Sequence, residues 1–173
     1  MPLNPNASEL IERKKDRKVF IETGSADGDG IECALKSGFK EIYSVELNPV
    51  LFENCKKRFE KNKNVHLFCG SSEIELPKIL ELVNESFVLW LDAHWSGGNY
   101  IGEMMDVYLP KELNAIKPYS NKFDDSVIMI DDMNHYMNNS KFCKLIENLV
   151  DDIKKTGKIE YCKSLYATHL VKS

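Results

Sequence analysis

Acidic residues stand where four apolar runs of this sequence end. Glu22 closes "KVFIET", Glu46 closes "EIYSVEL", Asp92 follows "SFVLWL", and Asp131 and Asp132 follow "SVIMI". After the first run comes a loop with Gly24, Gly28 and Gly30. Glycines after a strand let the backbone approach a ligand closely. Most such loops seat a phosphate on the following helix N-terminus. Here Glu22 stands at the mouth of the loop, where a carboxylate would repel one. Neither phosphate signature is present. There is no Gly-x-x-x-x-Gly-Lys-Ser/Thr, and the spacing is Gly-x-x-x-Gly-x-Gly, not Gly-x-Gly-x-x-Gly. A ligand with an amino group and a positive centre suits this row of acids better. Unpartnered carboxylates are costly to bury, so the expectation is that they face one cleft.

The surrounding pattern places these acids at strand ends. The runs named above, with "VHLFCG" and "KIEYC", are β-branched and aromatic. Segments of helical period lie between them: Ile31, Ala34 and Leu35 stopped by Gly38; Phe52, Cys55 and Phe59 behind Asn48 as cap and Pro49; a segment from Ser71 or Ser72 to Val83, delayed or kinked at Pro77; one ending near Ile116; and Phe142, Leu145, Ile146, Leu149 and Ile153. Strand and helix alternate along the whole chain. This predicts one Rossmann-like α/β domain over 1–173, with residues 1–18 as a leading helix or extension. The sheet is expected to be mostly parallel, of about seven strands, with helices on both faces. "KIEYC" and "LYATHLV" are expected to close it as an antiparallel hairpin.

Composition narrows the class. The 173 residues carry a formal charge of −4, which argues against a nucleic-acid partner. The basic run Arg13–Lys18 reads as the solvated face of a leading helix or as an anion contact. Five cysteines, an odd count without Cys-x-x-Cys spacing, indicate buried thiols in a reducing compartment. No secretory signal opens the sequence and no apolar run approaches a membrane span, so the reading is a cytoplasmic protein without a membrane partner.

"FIETGSADGDG", followed by "YSVELNP", resembles the first two motifs of class I S-adenosylmethionine-dependent methyltransferases. The resemblance runs from about Val19 to Met133, and "LWLDAHWSGG" resembles a phrase in a subgroup of these enzymes. It implies S-adenosyl-L-methionine as cofactor. Gly24, Ser25, Gly28 and Asp29 would form the loop near its methionine part, with Glu22 at the strand end. Glu46 would hold the ribose hydroxyls, and Asp92 would also line the cofactor site. Glu46 follows Glu22 by 24 positions, near the ~20 of a ribose-binding acid in a related βαβ unit. The family pattern places an acid after the third strand, near adenine; "CGSS" stands there, leaving Ser71 or Ser72 to serve.

Methyl transfer to oxygen needs an aligned and acidified acceptor. Asp92 with Asp131 and Asp132 forms an oxygen-rich set suited to Mg2+ or another divalent cation, which would bind the acceptor hydroxyl and lower its pKa. Alternatively the acidic pair caps a turn or the next helix, or touches substrate. The set resembles that of metal-dependent small-molecule O-methyltransferases. His94, two residues past Asp92, is a general base, a metal ligand or a residue that orders its loop. His135 is a weaker candidate, and His66 and His169 read as structural. "WSGGNY" is a lid with Trp95 and Tyr100 able to stack on a flat ligand, or simply a pliant loop. The expected acceptor is a small molecule or glycan, its pocket walls drawn from the leading helix, from Trp95–Asn121, or from a second subunit of a homodimer. Two alternatives remain: an NAD(P)-dependent oxidoreductase on a similar sheet, and a cofactor-binding module without turnover.

Overall fold

The computed structural model describes residues 7–93, 105–122, 124–131, 133, 138–156 and 159–163. Helix α1 (Ala7–Lys14) leads into β1 (Val19–Thr23), α2 (Asp29–Lys36), β2 (Glu41–Glu46), α3 (Pro49–Arg58), β3 (Val65–Cys69) and α4 (Ser72–Leu82). The second half runs β4 (Phe87–Leu91), α5 (Met105–Ile116), a 3-10 turn (Lys117–Lys122), β5 (Ser126–Ile130), α6 (Ser140–Thr156) and β6 (Ile159–Lys163). The strands lie in the order β3-β2-β1-β4-β5-β6, and every pairing is parallel.

Strand periodicity divides the core into two layers. Side chains alternate across a sheet. Val19, Ile21, Phe87, Leu89, Leu91, Ile128 and Ile130 therefore face α4, α5 and α6, where Leu76, Leu80, Leu113, Ile146 and Ile153 cover them. Phe20, Ile42, Val88, Trp90, Val127 and Met129 face Leu10 of α1, Ile31 and Ala34 of α2, and Cys55 and Phe59 at α3. Every residue of β1, β4 and β5 is buried, the mark of central parallel strands covered on both faces. Each fully buried large apolar side chain contributes roughly 1.5–3 kcal/mol.

Local signals set the helix ends. The Asn48 side chain accepts from Val50 N (2.9 Å) and Pro49 opens α3. Ser71 occupies the cap position of α4, but its hydroxyl makes no cap bond. That helix starts five residues before Pro77 and contains it, so the proline does not delay it. In α6, Leu145 is largely exposed while Val150 joins the core, because the buried stripe passes through Phe142, Ile146, Val150 and Ile153. The basic run also differs from a uniformly solvated face. Arg17 is buried; its Nη1 donates to the Arg13 carbonyl (2.7 Å) and its Nε to the Asp125 carbonyl, tying the end of α1 to the turn before β5.

The expected seven strands and closing antiparallel hairpin are not supported. From Ile159 on, the "KIEYC" stretch lies in β6, which pairs in parallel with β5 from Ser126↔Ile159 to Ile130↔Lys163. Helix α6 supplies the long crossover that parallel pairing requires. "LYATHLV" lies outside the described residues. Among the described residues no helix is long and apolar enough to cross a membrane.

Candidate cofactor site

In an open sheet of this order the ligand crevice lies beyond the carboxyl ends of the strands, where the order reverses between β1 and β4. The chain leaves β1 through Gly24, whose backbone is left-handed (φ 83°) and packed on the end of β4. A Cβ there would come within 2.5 Å of the Asp92 carbonyl oxygen. Gly24 N and Ser25 N both donate to the Val45 carbonyl (2.8 and 3.1 Å), so the loop leans over β2. Asp92 N donates to Thr23 Oγ1 (3.1 Å), joining the two strand ends. Gly24→Ala is therefore expected to destabilise the protein by about 2–4 kcal/mol, from the strained backbone and the overlap together; urea denaturation measures it.

Glu22 does not face the crevice. It is buried, and Ser44 Oγ donates to its Oε1 (2.7 Å). Its other oxygen lies against Gly30, where a Cβ would collide with it. Burial raises its pKa from 4.5 to about 8; the Ser44 hydrogen bond opposes the rise, and the Glu46 and Asp29 charges add to it. At neutral pH the group is mostly uncharged. The expectation that all strand-end acids line one open cleft is corrected here. The cause is the parallel register, which sets Glu22 beside Ser44 beneath α2.

Glu46 takes the place at the rim. Its Oε2 accepts from Ala26 N in the glycine loop (2.8 Å) and its Oε1 from Asn48 N (2.7 Å). It is almost buried, and desolvation raises its pKa, opposed by the backbone hydrogen bonds. Each carboxylate oxygen has a second lone pair, so the group is held in place with acceptor capacity to spare. Asp27 and Asp29 are exposed on the loop and on the first turn of α2. Arg58 at the end of α3 bridges the Asp27 carbonyl (2.5 Å), the Asp29 carboxylate (2.8 Å) and Glu32. Gly28 (φ 85°) holds the cap position of α2. Asp27, Asp29, Glu32 and Glu46 outnumber Arg58 and Lys36, the latter paired with Glu32, and leave this rim acidic.

At the end of β3 the two serines are held by α5. Ser72 is buried and donates to Glu112 Oε1 (2.5 Å). Ser71 Oγ lies 2.6 Å from the Tyr108 hydroxyl and also bonds Glu73. Asp92 is half-buried at the end of β4; Asp131 is buried one strand away, its N–H on the Leu91 carbonyl (3.1 Å). Among the described residues no three His, Cys, Asp or Glu side chains stand close enough to hold a metal ion. Asp132, His94, His135, His169 and the "WSGGNY" segment lie outside the described residues. His66 bonds Glu41 (2.7 Å) and stacks on Tyr43 at the opposite end of the strands.

Sequence reasoning missed Ser44, Tyr108, Glu112 and Arg58. Ser44 had a readable signal: a hydroxyl inside an apolar strand that pairs with the strand carrying a buried acid. The other three had none, because they reach the site from helices whose rotation is set by packing.

The strand order defines a doubly wound α/β protein whose topological switch point lies between β1 and β4. No family model matches the chain, and no curated protein sequence matches it. Solved structures share the fold. The Podospora anserina methyltransferase PaMTH1, in its SAH-bound form, aligns with 87% of this chain at TM-score 0.59 and 18% identity. Yeast methylglyoxal/isovaleraldehyde reductase Gre2, complexed with NADPH, aligns with 84% at 0.60 and 13% identity. Pen from Bacillus thuringiensis aligns with 84% at 0.61 and 10% identity. The chain spans 66%, 56% and 48% of the lengths of these three proteins, respectively. Such identities establish the fold.

Proposed function

We propose that this chain is an S-adenosylmethionine-dependent methyltransferase acting on a hydroxyl of a small molecule or glycan. The observation that carries the reading is the acidic rim of the glycine loop: Asp27, Asp29 and Glu46 stand on or against it, and the Arg58 guanidinium beside them is already engaged by the Asp27 carbonyl, Asp29 and Glu32. A cofactor with an ammonium and a sulfonium group, and no phosphate, is attracted there. These three residues, and not the enclosed Glu22, supply the repulsion of phosphate. The SAH-bound state of PaMTH1 supports the reading.

In this reading Gly24, Ser25, Gly28 and Asp29 shape the seat of the methionine part, and Glu46 accepts from the ribose hydroxyls. Ser71 and Ser72 border the base. Asp92, beside the switch point, orients the acceptor, and His94 removes its proton. Asp92 and Asp131 offer carboxylate oxygens on neighbouring strand ends, the donor type of a hard cation, and with Asp132 they would hold Mg2+. Such an ion lowers the pKa of a bound hydroxyl.

Titration calorimetry with S-adenosylhomocysteine, with and without magnesium, is the test. The expected affinity is micromolar, about −8 kcal/mol, with no binding of NADH or NADPH. A chelator that leaves methylation unchanged would remove the metal and keep the methyltransferase. The second reading, an NAD(P)-dependent oxidoreductase, is favoured by the strand order 3-2-1-4-5-6, which dinucleotide-binding domains use, and by the neutral state of Glu22, which lifts one objection to phosphate. A melting temperature raised by NADH or NADPH but not by S-adenosylhomocysteine would establish it instead.

A further inference from the structure

We infer that Ser44 is a positioning residue: it fastens the glycine loop to the sheet by bridging Ser25 of the loop to the carboxyl of Glu22. The inference rests on this loop seating the cofactor, and not on which cofactor that is.

Ser44 is fully buried inside β2, between Tyr43 and Val45 in sequence. Register sets it beside Glu22. Its hydroxyl has one proton, and that proton is directed to Glu22 Oε1 at 2.7 Å. The bond of 2.5 Å between Ser44 Oγ and Ser25 Oγ must then take its proton from Ser25. The remaining polar groups of Ser25 are engaged as well. Its N–H donates to the Val45 carbonyl and its own carbonyl accepts from Gly28 N (2.7 Å). Ser25 is thus the fixed point of the loop, and its side-chain tie runs through Ser44 to a buried acid.

The far side of that acid is closed by Gly30, which leaves no room for a side chain. The titratable groups facing Glu22 are Glu46 from β2, Asp29 from α2 and the Cys55 thiol from α3. None of them carries a positive charge. An ionised Glu22 therefore keeps the Ser44 hydrogen bond but has no counter-charge, and opening the loop to water is what stabilises it. The tie is accordingly firm while Glu22 keeps its proton and loosens when the proton leaves.

Amide hydrogen exchange of the loop (24–28), read with S-adenosylhomocysteine titrations from pH 6 to pH 9, tests this. In the wild-type protein loop protection and affinity should fall together above about pH 8. Ser44→Ala should exchange its loop amides at least ~10-fold faster at pH 7 while β4 and β5 stay protected, weaken the ligand by a similar factor, and move the midpoint of the pH transition upward, since Ser44 lowers the Glu22 pKa. A merely structural serine would not move that midpoint. Glu22→Gln, which keeps an acceptor for Ser44 and has no proton to lose, should hold loop protection level to pH 9.

Wild-type loop protection in Ser44→Ala, or a pH transition in Glu22→Gln matching the wild type, would overturn the inference. Should Ser44→Ala fail to fold, Ser25→Ala, which breaks the same bridge from the loop side, replaces it in the exchange measurement. If the wild-type protein binds no S-adenosylhomocysteine yet the exchange results come out as expected, the cofactor reading falls and the role of Ser44 stands. Normal binding with unaltered exchange in Ser44→Ala removes the role of Ser44 and leaves the cofactor reading in place.

Discussion

Replacing Glu22 with Gln is expected to stabilise the protein by several kcal/mol at pH 8–9, and by an amount that shrinks steadily as the pH is lowered. The sign follows from proton linkage. In the unfolded chain this carboxyl ionises near 4.5, and in the folded chain near 8. Between those values the folded state holds a proton that the unfolded state has released. Each pH unit gained therefore lowers the unfolding free energy, by at most ~1.4 kcal/mol for one proton. Below about pH 4.5 both states are protonated and the slope ends. Above about pH 8 both are ionised and the loss is complete. Glutamine has no such proton, so the variant should lack this component of the slope. Urea unfolding at each pH from 5 to 9 measures it. Curves that stay parallel between wild type and variant would show that Glu22 is ionised in the folded protein.

The second large effect is expected at Glu46. Glu46→Ala leaves two backbone donors, Ala26 N and Asn48 N, without their acceptor. Both donors are half-buried, so each loss costs no more than the ~1–3 kcal/mol of a fully enclosed one. The loop would lose its tie to the β2–α3 turn, and the cofactor would lose its ribose acceptor. S-adenosylhomocysteine affinity should fall at least ~10-fold, a loss of ~1.4 kcal/mol or more. Glu46→Gln separates the two roles. It retains one oxygen for a backbone N–H, so stability should recover more than affinity does. Equal affinity in Glu46→Ala and wild type would place the cofactor elsewhere.

Both effects sit at strand ends that are legible in the sequence, and they illustrate how far legibility goes. The acids at 22, 46, 92 and 131 are visible because apolar runs stop at them and strands end where such runs stop. Their environments are not. Glu22 and Glu46 look alike in sequence, two acids closing two strands. In the fold, one is enclosed by Ser44 and Gly30 and the other is held by backbone donors at the rim. The difference comes from the parallel pairing of β1 with β2 and from the way α2 rises over β1, neither of which any local window contains.

The same boundary separates the other outcomes. Asn48–Pro49 and Gly38 mark helix ends correctly, because capping acts within a few residues. Arg17 belongs to a run that reads as solvated, yet its partners lie at the end of α1 and, 108 positions away, at Asp125. The last segment reads as a hairpin because two β-rich stretches stand close in sequence. β6 instead reaches β5 across α6. The amino-acid order by itself determined which residues are strands, which helix faces are apolar and which strand ends carry acid, since these depend on side-chain chemistry at short range. Only the tertiary structure decided which acid keeps its proton, which serine is spoken for and where the last strand pairs, because burial, register and crossover are set by contacts between residues far apart along the chain.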